Sequence, residues 1–380
     1  MKKTAAVLLI FLLLLPILHL TPSLTACTTF CLKDGTRLVF GRNYDWGIGH
    51  GYVMVNKRNL AKKAFNFDDP ESKPVEWISK FGSITFNQYG KEQPMGGMNE
   101  AGLVVEVMWL AGTTYPDFDP RPALGELPWV QYQLDNFSTV TDVIESDDSI
   151  RISTSSQPIH FLVCDQTGDV ATIEFLNGKM IFNTGNSLPM DVLTNNTYED
   201  SIQYLGEHKG FGGTRDIPAT ESSLDRFARA ADMLQKFKMD RNRDIVNYSF
   251  SILENVKQEV GTQWSIVYDP KNMVVHFKTK ETPKTKSFNF KDFDFACHTP
   301  SMVLDMHSNQ EGDVGPYFME YSSELNRRLI GLSFRGTDFL QDTPNETLDQ
   351  LARYPESLIC RTKKWDLYHI SYISLADLSC

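Results

Sequence analysis

The chain has 380 residues with 37 basic and 48 acidic side chains, a formal net charge of −11, and 41% hydrophobic and 12% aromatic residues. That much apolar side chain supplies one sizeable core or two smaller ones, which excludes an intrinsically disordered chain. The acidic balance argues against a nucleic-acid partner.

Residues 1–26 read as a secretory signal: Lys2 and Lys3, an apolar run from Ala5 to Leu15, Pro16, and the segment Thr21 to Ala26. The run is too short and too proline-broken for a transmembrane span. Its removal takes away two lysines and no acid, leaving 35 basic and 48 acidic residues and a net charge of −13. Cleavage after Ala26 puts a thiol and a free α-amino group on one residue, Cys27. An N-terminal thiol can be activated by its own amine. The unperturbed α-amino pKa is roughly 7.7 to 8.0 against about 8.5 for Cys, so the proton moves between them with little driving force. Leu24-Thr25-Ala26-Cys27 also fits a bacterial lipoprotein signal, in which an acylated Cys27 merely tethers the chain. These residues leave both readings open: an exported, periplasmic or secreted protein with a free Cys27, or one lipid-anchored there.

Beyond Cys27 the pattern is of paired strands. Thr28 to Lys33 and Arg37 to Asn43 flank Lys33-Asp34-Gly35-Thr36, in which Asp-Gly is a strong hairpin signal. The return strand therefore carries Arg42 and Asp45 back beside Cys27, and the two share a side only if the strand end is irregular. Gly82 to Gln88 precedes the turn Gly96 to Gly102 and the strand Leu103 to Leu110. Helical spacing marks Pro128 to Leu134 and Val140 to Glu145. Ile159 to Cys164 and Val170 to Phe175 flank Asp165 to Gly168. Leu224 to Phe237 reads as a helix opened by the capping box Ser222-Ser223-Leu224-Asp225, and Arg243 to Val256 as another. Trp264 to Tyr268 and Val274 to Thr279 flank Asp269 to Asn272. From about residue 299 the strand pattern fades, with helices expected around Tyr317 to Leu329 and Glu346 to Ala352 and an aromatic stretch from Trp365 to Tyr372. The expected organisation is residues 1–26 as signal, 27–298 as a layered α+β domain, and 299–380 as an extension packed on it.

Six cysteines show no CxxC pair, and Cys360–Cys380 is the expected disulfide, with Cys31, Cys164 and Cys297 expected as buried thiols. The histidines fall in no metal-ligand spacing, so no metal is indicated.

Cys27, the run Gly41-Arg42-Asn43-Tyr44-Asp45-Trp46, the turn Gly97-Met98-Asn99-Glu100-Ala101-Gly102-Leu103, Leu193-Thr194-Asn195-Asn196 and Asp225-Arg226-Phe227 occur in this order. Together they resemble the choloylglycine hydrolase and penicillin V acylase family of N-terminal-nucleophile hydrolases, with Thr262 to Asp269 similar to a late family strand. The likeness runs from residue 27 to about 298. It implies a four-layer αββα sandwich of two antiparallel sheets between helical layers. It implies hydrolysis of a linear carbon–nitrogen amide bond through an acyl-enzyme, with no metal or organic cofactor. The resemblance assigns Cys27 as nucleophile, Arg42 as the cation favouring its thiolate, and Asp45 as the holder of the α-amino group. It makes the Asn195 side-chain amide and the Trp109 backbone N–H the oxyanion donors, and Arg226 part of the charge network. Relatives commonly carry Asn or Tyr where Trp109 stands, so Trp109 matches neither the bile-salt nor the penicillin subgroup. Tyr44, Trp46, Met108 and Trp109 are candidates to line an apolar acyl pocket. The implied partner is a small-molecule amide with an apolar acyl group; relatives are often homotetramers. Two rivals stand beside this reading: acyl transfer to an amine from the same acyl-enzyme, and an anchored ligand-binding protein.

Overall fold

The computed structural model describes residues 27–65, 71–239 and 243–361. Residues 1–26, read above as a signal, the aromatic stretch Trp365 to Tyr372 and Cys380 lie outside the described residues.

Two large sheets form the body. In the first, of seven strands, Thr28–Asp34 pairs with Arg37–Asp45, followed across the sheet by Thr262–Asp269 and Val274–Thr279. The Asp-Gly turn sets the register: Gly35 takes φ 58°, which glycine adopts without a Cβ clash, and Thr29 then faces Arg42. The short strand Val192–Leu193 pairs with the other side of Thr28–Asp34, Leu193 opposite Thr29. It thereby delivers the next residues, Thr194 and Asn195, to the start of that strand.

The second sheet has nine strands, with Ile159–Cys164, Val104–Trp109, Pro94–Asn99 and Ser83–Asn87 adjacent in its middle. The segment expected as a turn from Gly96 is still strand to Asn99. The turn follows there, where the Asn99 Oδ1 accepts the Ala101 and Leu103 N–H groups and Gly102 takes φ 78°. The apolar faces of the two sheets meet, as in the edge-to-face contact of Phe86 with Tyr268 and Phe277.

Helices cover the outer faces. α1 (Glu126–Asn136) and α2 (Val140–Glu145) pack on the nine-stranded sheet. α3 (Tyr198–Leu205), α4 (Ser223–Met239) and α5 (Ile245–Asn255) follow in the chain, and α4 and α5 pack on the seven-stranded sheet. The Ser222 hydroxyl accepts the Asp225 N–H and caps α4, as its sequence predicts. The order is therefore helix, sheet, sheet, helix: the four-layer α+β sandwich.

Past residue 298 the structure departs from the sequence expectation. Met302–Asp305 is a strand paired with Tyr52–Asn56 inside the nine-stranded sheet. The helix expected from Tyr317 begins later, as α6 (Ser323–Arg335), because Pro316 lies in a short 3₁₀ turn and Ser322 provides the N-cap by accepting the Leu325 N–H. α7 (Asn345–Arg353) matches its expected span and packs antiparallel on α6.

The disulfide differs too: Cys360 bonds Cys297, with a Cα separation of 5.5 Å, and not Cys380. Cys297 is in a half-buried turn rather than a strand, which leaves its sulfur accessible to a partner 63 residues away. Cys31 and Cys164 are buried free thiols on strands, as expected. No described helix is long and apolar enough to cross a membrane.

Candidate active site

Cys27 stands at the start of the first strand, on the wall of a cavity of about 460 Å³. Arg42, on the neighbouring strand, brings its Nη2 to 3.9 Å from the sulfur. Burial pushes the Cys27 thiol up from its ordinary value; the Arg42 charge and the Asp45 backbone N–H oppose that, while the Asp45 carboxylate adds to it. Arg42 is thus the main influence favouring thiolate.

Arg42 is itself fully buried, so its own charge needs partners. Nη1 pairs with Glu106 and donates to the Met95 carbonyl at 2.7 Å, and Nη2 donates to the Val107 carbonyl at 2.9 Å. Burial works against the guanidinium charge, but Glu106, with Cys27, Tyr268 and Tyr44 adding to its pull, more than offsets it and Arg42 stays protonated. Burial also pushes Glu106 up to about 7 against the pull of Arg42 and of the Tyr268 hydroxyl, which donates to its other oxygen. The acid fits only because residue 96 is glycine: a Cβ there would overlap the Glu106 carboxylate. Glu106 was missed in the sequence, where a single acid inside Leu103-Val104-Val105-Glu106-Val107-Met108-Trp109 was its only trace.

Asp45 lies where the pairing of its strand with Thr262–Asp269 shifts register, between Thr262 and Trp264. This is the irregular end that the shared placement of Arg42 and Asp45 requires. Its Oδ1 accepts the Thr262 hydroxyl, and its buried Oδ2 accepts no hydrogen bond and lies 3.9 Å from Arg226 Nη1. Burial pushes Asp45 up to about 7, with Arg226 pulling the other way.

The Cys27 nitrogen donates not to Asp45 but to Asn195 Oδ1, at 2.7 Å. Asn195 Nδ2 donates to the Trp109 carbonyl at 2.8 Å. Arg226, on α4 and also fully buried, ties these parts together. Its Nη1 donates to the Cys27 carbonyl at 2.7 Å and the Thr28 hydroxyl at 2.6 Å, and its Nη2 to Asn195 Oδ1 at 2.9 Å.

Trp109 sits opposite Ile159, yet the Ile159 carbonyl accepts the hydroxyls of Thr113 and Tyr115, and its N–H donates to Tyr115. The pair is therefore a non-hydrogen-bonded one, and the Trp109 N–H and C=O share the edge that faces Asn195. A second buried relay supports the Asn195 segment: His160 Nε2 donates to the Thr194 carbonyl at 2.7 Å, and its Nδ1 lies 3.1 Å from Glu174. Sequence reading missed this pair as well.

Tyr44, Trp46, Met108 and Trp109 all line the cavity. Tyr44 stacks on Trp264 with ring centroids 4.1 Å apart and Met108 sulfur accepts the Thr29 hydroxyl, so both are also fixed core residues. The arrangement offers a thiol beside a fixed cation, a polar network around its backbone, and an apolar cavity in front of it. Arg42→Gln is expected to move the pH profile of Cys27 alkylation by iodoacetamide upward by about one unit or more, since the cation that lowers the thiol pKa is gone. An unshifted profile would show that Arg42 does not govern the thiol.

Comparison with known proteins agrees with this geometry. Residues 27–302 match the linear amide C–N hydrolases of the choloylglycine hydrolase family. The chain is 27% identical over 278 residues to a penicillin V acylase of Pectobacterium atrosepticum, covering 62% of this chain and 73% of that one. The solved penicillin V acylase of Agrobacterium tumefaciens superposes with a TM-score of 0.68 at 26% identity, covering 78% of this chain and 98% of that one. A conjugated bile acid hydrolase of Clostridium perfringens shares the fold, with a TM-score of 0.61 at 17% identity over 73% of this chain and 97% of its own. With the match spanning most of the chain and the sandwich in place, the protein belongs to the choloylglycine hydrolase family, hydrolases of linear carbon–nitrogen amide bonds with the N-terminal-nucleophile fold.

Proposed function

We propose that the chain is exported, that removal of residues 1–26 frees Cys27, and that Cys27 then hydrolyses the amide of an apolar acid through an acyl-enzyme. The placement of the Cys27 sulfur, 3.9 Å from Arg42 Nη2 and open to an apolar cavity, carries this reading. The thiolate attacks the amide carbonyl, and the α-amino group takes the thiol proton and passes it to the leaving amine. Water then attacks the thioester, returning the proton to the amine and releasing the acid.

The hydrogen-bond pattern supports a role for cleavage. While residue 26 is attached, Cys27 nitrogen has one hydrogen, and Asn195 Oδ1 takes it. A freed ammonium has three, so it can keep Asn195 and also supply the buried Asp45 Oδ2 that now accepts none. In this reading Asp45 and Asn195 together orient the nucleophile. The second hydrogen of Asn195 Nδ2 and the Trp109 N–H, which share one edge, serve the tetrahedral oxyanion. Arg226 holds the Cys27 carbonyl and Asn195 in register.

The penicillin V acylases at 26% and 27% identity favour an acylated small molecule as substrate, with the acyl group in the cavity lined by Tyr44, Trp46 and Met108. Acid-quenched turnover of an apolar acyl amide, followed by peptide mass mapping, tests the mechanism. The expected result is a transient acyl mass on the peptide beginning with Cys27. Steady turnover with label on another residue, or with Cys27 alkylated, would overturn it.

A further inference from the structure

The cavity before Cys27 is only partly built by the residues that match the family. Phe334, Phe339, Leu340, Thr343, Thr347 and Leu351 form its outer side, and all lie beyond residue 302, in α6, α7 and the turn between them. None of the six carries a charge. Phe339 touches both of the cavity's indoles: the Trp46 and Trp109 ring centroids are 5.9 Å apart, and each is 6.4 Å from that of Phe339.

The hairpin is fixed over the cavity at several points. The Tyr89 and Thr337 hydroxyls are 3.0 Å apart, Phe334 packs edge-on against Tyr89, and Asn326 accepts the Lys91 N–H at 2.8 Å while donating to the Ala352 carbonyl. Beyond α7, Ile359–Cys360 pairs with Leu60–Lys63 and Cys360 is disulfide-bonded to Cys297, which anchors the far end. Such anchoring makes the outer side a preformed wall rather than a passing contact. Phe339 is 52% exposed, so its ring is available to a ligand without repacking the core.

We propose that the α6–α7 hairpin is the acyl-selecting wall of this cavity, and that Phe339 is a specificity-determining residue favouring apolar acyl groups long or broad enough to reach it from Cys27. The proposal rests on the assignment of Cys27 as nucleophile for its catalytic consequence, but not for ligand binding. An acyl group that stops short of the hairpin gains nothing from it; one that reaches it exchanges water for the Phe339, Leu340 and indole surfaces. Affinity should then rise by roughly fourfold for each methylene buried, until the wall is met.

The test separates binding from turnover. Processed Cys27→Ala protein, alone and with Phe339→Ala or Leu340→Ala, is titrated calorimetrically with acetate, hexanoate, decanoate and phenylacetate. The decanoate-to-acetate affinity ratio is expected to fall about tenfold with Phe339→Ala and to recover with Phe339→Leu. The phenylacetate arm separates a ring from a chain as the preferred shape. The kcat/KM ratio for decanoyl and acetyl anilides is then compared with and without Phe339→Ala in the Cys27 protein. A ratio unmoved by either substitution, or no binding of any of the acids, overturns the proposal. Hairpin-dependent binding without cleavage by the Cys27 protein would instead overturn the amidase reading and leave the wall in place.

Discussion

Cys27→Ala is expected to lower kcat/KM for amide hydrolysis by at least about 10⁴-fold, because the proposed acyl-enzyme forms on the Cys27 sulfur. The fold should survive. The side chain borders the cavity, so its loss enlarges existing space rather than opening a void in the core, and the expected change in stability is within about 1 kcal/mol. Cys27→Ser is the sharper variant, since it keeps a nucleophilic atom in place. An α-amine of pKa roughly 7.7 to 8.0 matches a thiol closely. An alcohol is a far weaker acid that gives up its proton only in the transition state and gains little from the Arg42 charge placed for a thiolate, so activity should fall to a small residue. Undiminished turnover in either protein would remove Cys27 from the mechanism.

Arg226→Met has the second large expected effect, and it acts on the fold as well as the chemistry. Burial lowers the Arg226 pKa, with Asp45 and Cys27 pulling it back, so the charge is held by its surroundings. Its removal takes from the buried Asp45 the guanidinium that most opposes its burial and strips partners from the Cys27 carbonyl, Thr28 and Asn195. Breaking a buried pair in this way costs about 3 to 5 kcal/mol. The urea midpoint should drop by the corresponding amount with an unchanged slope, and kcat/KM should fall by at least about 100-fold. Adding Asp45→Asn should recover part of the stability, because the stranded acid is gone, without restoring turnover. A single variant with both midpoint and activity near those of the parent would contradict the network described here.

The local parts of this site were legible in the sequence. Asp34-Gly35 fixes a hairpin, the hairpin fixes a register, and the register carries Arg42 and Asp45 to Cys27. Ser222 announces the start of α4 and with it the position of Arg226. What stayed hidden depends on contacts between the sheets or on distant chain segments. Glu106 reaches Arg42 across the sandwich, and nothing near either residue in sequence encodes that meeting. The assignment of Asp45 alone to the Cys27 nitrogen missed Asn195 for a similar reason: the short strand Val192–Leu193, which places Asn195, has too few residues to show a period. The Cys297–Cys360 bond joins a turn to a strand through tertiary packing, which spacing cannot reveal. The hairpin's amphipathic pattern marked α7 as a helix, yet only the fold shows that one end of the pair meets Trp46 and Trp109.

The losses of turnover expected above, and the proposed chemistry itself, depend on a free N-terminal cysteine. The most direct measurement is the intact mass of the protein recovered from its native cells and their medium, with the N-terminal peptide sequenced by fragmentation. A mature chain that begins at unmodified Cys27, carrying one free amine and one free thiol, is the predicted result. A chain still bearing residues before Cys27, or one whose mass is raised by a diacylglycerol and a further acyl chain, would contradict the account, because either state blocks the amine that must accept the proton.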